Sequence, residues 1–168
     1  NDQMLRLLIK AIKSVYASVY FAASRAYIAT SSNLLSEEKM AVIVQQVCGT
    51  ADGGYFFPTM SGVARSINHY PIGDERPEDG IVNIAFGLGK LVVDGGRTLR
   101  FSPKAPQKAL QTSTVELALR DTQKEFYALD LRPSAFRISI DEAVNLVRMD
   151  ISKAASMRNM RYAASTWD

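Results

Sequence analysis

Cysteine and histidine are nearly absent: the 168 residues hold one of each. The lone Cys48 excludes a disulfide within the chain and any cysteine-based metal cluster. It lies inside an apolar run, so it is expected to be a buried small hydrophobe. The lone His69, between Asn68 and Tyr70, excludes the common zinc constellations. With no second group to orient it as a base, His69 is expected to have a structural or surface role. No apolar run reaches the ~20 residues of a membrane span. The start, Asn1-Asp2-Gln3, has no basic n-region and no initiator Met, so the expectation is a piece of a longer, cytoplasmic protein. The net charge is only +3, and the basic residues are dispersed rather than gathered in a stripe. Neither a nucleic-acid partner nor a membrane partner is expected.

What is present suits one globular unit. A chain of this length can bury roughly 70% of its unfolded surface, and 47% hydrophobic with 22% charged residues is ordinary for a soluble domain. Residues 2–30 read as helix. Leu5, Leu8, Ile9, Ile12, Val15, Tyr16, Val19 and Tyr20 follow the three-four spacing of one buried face. Residues 21–28 continue the pattern as a second helix or after a bend. Tyr16, Tyr20, Phe21 and Tyr27 are expected to pack as core and rim. Ser31-Ser32-Asn33 breaks the helix, and Ser36-Glu37-Glu38-Lys39 is a polar lead into residues 40–48. That uninterrupted, β-branched run reads as a strand buried on both faces. Gln45 and Gln46 close it. A buried amide must be paired; the alternative is exposure at a sheet edge.

Glycine turns at 53–54 and 61–62 separate residues 55–57 and 63–70, which with 40–48 suggest an antiparallel meander. Residues 71–80, with Asp74, Glu75, Glu78 and Asp79, read as a solvated loop without the ligand spacing of a calcium loop. Residues 107–119 carry short helical patterns, 126–131 a strand, 132–134 a turn and 140–149 a helix. Residues 151–168 are weakly patterned.

The centre of interest is residues 87–104. The apolar run Ile81-Val82-Asn83-Ile84-Ala85-Phe86 ends in Gly87 and Gly89, and a short element then leads to Gly95-Gly96 and a basic strand. Glycine lets backbone approach a ligand closely, and turn N–H groups can bind anions. Lys90, Arg97, Arg100 and Lys104 could add positive charge. Gly-x-Gly alone is a weak motif, and Gly95-Gly96 equally suits a hairpin turn or a helix C-cap.

Three segments in order carry a family resemblance. Residues 38–47, Glu-Lys-Met-Ala-Val-Ile-Val-Gln-Gln-Val, resemble the Met-Ala-Val-x-Val-Gln-x-Met-Val strand of the nucleotide-binding domain shared by pyruvate phosphate dikinase and phosphoenolpyruvate synthase. Gly54-Tyr55-Phe56-Phe57-Pro58 with Ser61-Gly62 resembles the hairpin that follows. Residues 87–95, Gly-Leu-Gly-Lys-Leu-Val-Val-Asp-Gly, resemble Gly-Leu-Gly-Glu-x-Val-Val-x-Gly. Residues 16–26 are similar to the preceding helix.

The resemblance implies an α+β, partial ATP-grasp-like domain, mostly antiparallel sheet with N-terminal helices packed on it. It implies a single-domain fragment over 1–168: helical 1–30, a sheet with a nucleotide-binding corner over 40–104, and a mixed α/β extension over 105–168. Gln45, Gln46 and Val47 would line the adenine, the backbone of the latter two reading its amino edge. Gly87, Gly89 and Lys90 would flank the nucleotide, with 88–94 a short helix capped by Gly95. ATP and Mg2+ are the implied cofactors, and other domains of the parent chain the implied partners, in an ATP-dependent phosphotransferase.

Departures qualify this. Lys90 replaces the family acid. The family's triphosphate-holding Arg-Ser-Ser, its acidic metal-binding run and its phosphoryl-accepting histidine motif have no counterpart in the sequence, so magnesium ligands are expected outside it and the chain alone is expected to be inactive. The alternative is a degenerate, non-catalytic nucleotide-sensing or scaffold domain. A third option is an anion-binding domain that uses Arg97, Arg100 and Lys104.

Overall fold

The computed structural model describes residues 2–30, 39–132, 134, 135, 137, 139, 142–158 and 160. The expected break at 31–33, most of the polar lead at 36–39, Pro133, Ile140, Asp141 and residues 161–168 lie outside the described residues. The chain divides into two compact units, residues 1–47 with 137–142 and residues 48–136 with 143–168.

In the first unit, helix α1 (Asp2–Ala17) runs into a single 3-10 turn (Ser18–Tyr20), and helix α2 (Ala22–Thr30) follows. Phe21 makes the break. Its backbone is extended (φ −69°, ψ 153°), its N–H donates to the Ser18 carbonyl at 3.1 Å, and its carbonyl accepts from Arg25 N at 2.9 Å. The axes bend by 42°. No single described helix is long and apolar enough to cross a membrane, although the bent pair together has the apolar length. The periodic stripe forms as expected, but neither helix buries a residue fully. Leu5, Leu8 and Tyr16 are exposed, and Tyr27 is 76% exposed, so the aromatic residues expected as core and rim are surface. Amphipathic spacing decides which face a helix would bury, while a covering element decides whether it does.

The same physics corrects the reading of residues 40–48. They are not a strand, and they are not buried: Ile43 is 83% and Val44 67% exposed. Cys48 is exposed too. β-branched residues favour extended backbone, but a strand also needs a neighbour to complete its ladder. None of the described strands pairs with this run.

The second unit holds two antiparallel sheets, so the chain is α+β as expected. One has the order β1 (Thr50–Asp52), β2 (Tyr55–Phe57), β6 (Glu125–Asp130), β7 (Leu146–Asp150). The other has the order β3 (Ser61–Arg65), β4 (Ile81–Ala85), β5 (Leu99–Phe101). β1 and β2 form a hairpin on Gly53-Gly54, both at positive φ, which a tight two-residue turn requires. The meander is corrected here: Pro58 ends β2, and β3 pairs with β4 in the other sheet. β3 also stops at Arg65, five residues short of Tyr70. The expected helix over 140–149 is another correction. Glu142–Asn145 is a 3-10 turn, and β7 follows, pairing with β6 in register from Glu125↔Asp150 to Leu129↔Leu146. Val147 and Met149 fit an alternating pattern as well as a helical one, and in so short a window the available β6 edge decides.

The core of this unit is aromatic. Phe57 and Phe126 are fully buried and Phe86 nearly so, and their rings meet edge-on or tilted at centroid distances of 5.0–5.5 Å. Ala128, Met149 and Ala154 complete the cluster. Phe86 is the residue after β4, so its ring lies in the core of the first sheet while its backbone leaves the second. Of the helical patterns expected over 107–119, the α-helix α4 (Val115–Asp121) starts only after Thr114, whose Oγ1 caps it by accepting from Leu117 N at 3.2 Å. Helix α5 (Ile151–Ala154) starts at Asp150, whose carboxylate accepts from Ser152 N.

Candidate nucleotide-binding turn

β4 delivers the chain into Gly87-Leu88-Gly89-Lys90 at the junction of the two sheets, and four hydrogen bonds fix this turn. The Phe86 N–H donates to Gln123 Oε1 at 2.7 Å, and Gln123 Nε2 donates to the Phe86 carbonyl at 2.9 Å. Ser61 Oγ donates to the Gly87 carbonyl at 2.7 Å, and the Leu88 N–H to the Tyr127 carbonyl at 2.9 Å. Gly87 is required by conformation and by space. Its φ is +83°, and a Cβ there would lie 2.9 Å from the Tyr127 carbonyl oxygen and 3.0 Å from the Phe126 ring. Gly89, at φ −68°, has no such constraint; a Cβ would meet Ser61 at an ordinary 3.5 Å.

Helix α3 (Lys90–Val93) follows, a short helix as the resemblance implies. Gly95 (φ +78°) closes it, and Gly96 N–H reaches back to the Leu91 carbonyl at 2.7 Å, the bond of a glycine-terminated helix end. Lys90 Nζ pairs with Asp94 across one turn at 2.6 Å.

Two cations of this corner, Arg100 and Lys104, are engaged by acids of the 71–80 loop, which is mostly exposed as expected but holds Glu75 and Asp79 half-buried against them. Arg100 grips Glu75 with two nitrogens, at 3.1 and 2.7 Å, and also donates to the Tyr70 carbonyl. Glu75 further accepts from Asn68 Nδ2 at 2.9 Å and from Ile72 N at 3.0 Å. Asn68 is 1% exposed, while the neighbouring His69 is exposed. Lys104 pairs with Asp79 at 2.8 Å, and Asp79 also accepts from Arg76 N. Arg97 is exposed, with its charge acting on Asp121, which Arg120 already pairs. The anion-binding option thus loses two of its three cations to ion pairs.

The Arg100 hydrogen bonds hold the Glu75 carboxyl below its ordinary value of 4.5, with burial opposing and Ile72 and Asn68 assisting. A carboxyl with a depressed folded value stabilises the fold fully above its unfolded value and loses that contribution as pH falls through the folded one. Glu75→Gln is therefore expected to cost about 1–2 kcal/mol at pH 7. Its urea midpoint is expected to fall less steeply than the wild type's below pH 4.5. Parallel pH profiles of the two proteins would remove Glu75 from this role.

The sequence-derived site residues fall in two places. Gln45, Gln46 and Val47 lie in the first unit, exposed and outside any described helix or strand, and among the described residues no hydrogen bond engages their backbone. Gly87, Gly89 and Lys90 lie together in the second unit. Sequence reasoning missed Gln123 and Ser61, which fix the turn. The rule that a buried amide needs a partner applies to Gln123, whose only signal was a lone amide between a helical pattern and a strand. Among the described residues no group of three or more His, Cys, Asp or Glu could hold a metal ion. Glu75 and Asp79 are committed to cations, so these side chains do not fit magnesium.

A family model described as the pyruvate phosphate dikinase AMP/ATP-binding domain matches residues 1–157. No curated protein and no solved structure matches.

Proposed function

Since the chain belongs to the family of the pyruvate phosphate dikinase AMP/ATP-binding domain, we propose that it binds ATP for phosphoryl transfer in a cytoplasmic phosphotransferase of the phosphoenolpyruvate synthase or pyruvate phosphate dikinase type. The observation that carries this reading is the exposed backbone of residues 45–47, outside any described helix or strand, whose N–H and C=O groups have no partner among the described residues. An adenine offers a donor and an acceptor side by side on its amino edge, and unpaired backbone C=O and N–H groups meet both. Gln46 and Val47 supply those groups, with Gln45 beside the base. Within the second unit, taken by itself, Gly87 seats the turn against β6, Gly89 leaves room for backbone to approach an anionic group, and Lys90 stands at the start of α3. Phosphoryl transfer rests on positioned charge. The described residues gather no metal site.

Lys90 favours a second reading, a degenerate nucleotide-sensing module. It occupies the family's acidic position and is bound to Asp94. Calorimetry of the full-length protein with Mg-ATP and Mg-ITP tests the first reading. ITP carries a carbonyl where ATP has its amino group, and a proton on N1, so donor and acceptor are both reversed and it is expected to bind at least about ten-fold more weakly. Equal affinities would remove the adenine-edge contact. Mg-ATP binding without any phosphoryl transfer would favour the second reading.

A further inference from the structure

Two glutamines of this protein use their side-chain amides as a strand would use its backbone. Gln123 accepts from Phe86 N and donates to the Phe86 and Glu125 carbonyls, at 2.7, 2.9 and 2.8 Å. Gln111 accepts from Arg100 N at 2.7 Å and donates to the Thr98 carbonyl at 2.8 Å. Gln111 covers the outer edge of β5, where such pairing blunts an open sheet edge. Gln123 does something different. It sits where β4 has ended, and it ties the last residue before Gly87 to the start of β6.

We infer that Gln123 and Ser61 are positioning residues for the Gly87–Lys90 turn, holding its backbone in the form that receives the nucleotide. The inference rests on the ATP-binding reading above and deepens it. The chemistry is one of orientation. Between them, Gln123, Ser61 and the Tyr127 carbonyl take up Phe86 N, Phe86 O, Gly87 O and Leu88 N. Each of those groups would otherwise compete to turn towards a ligand. The Gly87 carbonyl matters most, because a carbonyl oxygen aimed at a phosphate repels it. Ser61 holds that oxygen away. The Gly89 N–H, by contrast, has no acceptor among the described residues. With the Phe86 and Gly87 carbonyls and the Leu88 N–H tied back and the Gly89 N–H left over, the turn meets a ligand without reorganising those groups. The Phe86 ring locks the same residue from its other side, in the core beside Phe57 and Phe126.

The two glutamines provide their own control. Gln123→Met and Gln111→Met each remove one amide of the same kind at similar volume, but only the first touches the turn. Ser61→Ala removes the hydroxyl alone and serves if Gln123→Met fails to fold. Amide hydrogen exchange and Mg-ATP calorimetry on the full-length protein read the outcome. Gln123→Met and Ser61→Ala are expected to speed exchange at Leu88 about ten-fold and to weaken Mg-ATP three- to ten-fold. Gln111→Met is expected to lower thermal stability while leaving both readouts as in wild type. If Gln123→Met and Ser61→Ala bind Mg-ATP as wild type does, the positioning role is overturned and the ATP-binding reading stands. The role is also overturned if Gln111→Met weakens binding equally, since general loosening then explains the loss. A wild-type protein that binds no Mg-ATP overturns the functional reading and the role with it.

Discussion

Gly87→Val is expected to destabilise the protein by about 3 kcal/mol or more, a large part of the 5–15 kcal/mol that ordinarily separates folded from unfolded states. Two independent costs add. At φ +83° a side chain of L configuration is strained by about 1–2 kcal/mol, and a β-branched one by more. The new Cβ would also stand 2.9 Å from the Tyr127 carbonyl oxygen and 3.0 Å from the Phe126 ring. Neither can yield freely: one is β6 backbone and the other is core, and overpacking of this kind costs about 1–3 kcal/mol. Gly89→Ala is the contrast, with ordinary backbone angles and an ordinary 3.5 Å contact to Ser61. Urea unfolding of the two variants checks this. A midpoint for Gly87→Val close to that of Gly89→Ala would mean that Gly87 is not held against β6. A consequence for function is that loss of ligand binding in Gly87→Val would report unfolding, so Gly89 is the glycine at which a ligand's approach can be probed.

Phe126→Ala carries the other large effect, about 3–5 kcal/mol. Phe126 is fully buried and is the ring that both other aromatic residues touch, at 5.3 Å from Phe57 and 5.0 Å from Phe86. Its removal opens a cavity, ends two aromatic pairings worth about 0.5–1.5 kcal/mol each, and frees Phe86 to move the turn that follows it. Thermal unfolding should show a drop well beyond that of Leu129→Ala on the same strand. A drop no greater than that of Leu129→Ala would place the core elsewhere.

Much of the second unit is legible from residues. Pro58 ends a strand because it has no N–H to give. Gly53-Gly54 makes a two-residue hairpin, and Gly95 closes a helix that Gly-Leu-Gly opens. Those are local events, fixed by backbone chemistry within a few positions. The failures share another cause. Residues 40–48 have the composition of a buried strand, and residues 2–30 have the spacing of a buried helix face. Neither pattern says whether a covering element is at hand. Residues 140–149 fit two periods at once, and only β6 resolves them. The candidate site divides in the same way. Its glycines were visible as a Gly-x-Gly pair, and at Gly87 φ and close approach demand glycine. Gln123 and Ser61 were not, because a single polar residue far away in sequence acquires its meaning only when the fold brings it to the turn. Sequence reasoning gave the cations of the corner a ligand, whereas Glu75 and Asp79 hold two of them.

The central claim, that the 45–47 backbone receives an adenine, is tested most directly by Val47→Pro. Proline deletes the Val47 N–H, at a position outside any described helix or strand. Among the described residues that N–H donates to nothing, so the fold should not depend on it. Mg-ATP calorimetry and thermal unfolding are measured together on wild type and variant. The predicted result is an unchanged melting temperature with at least about ten-fold weaker binding. Unchanged affinity in a folded Val47→Pro protein would contradict the account.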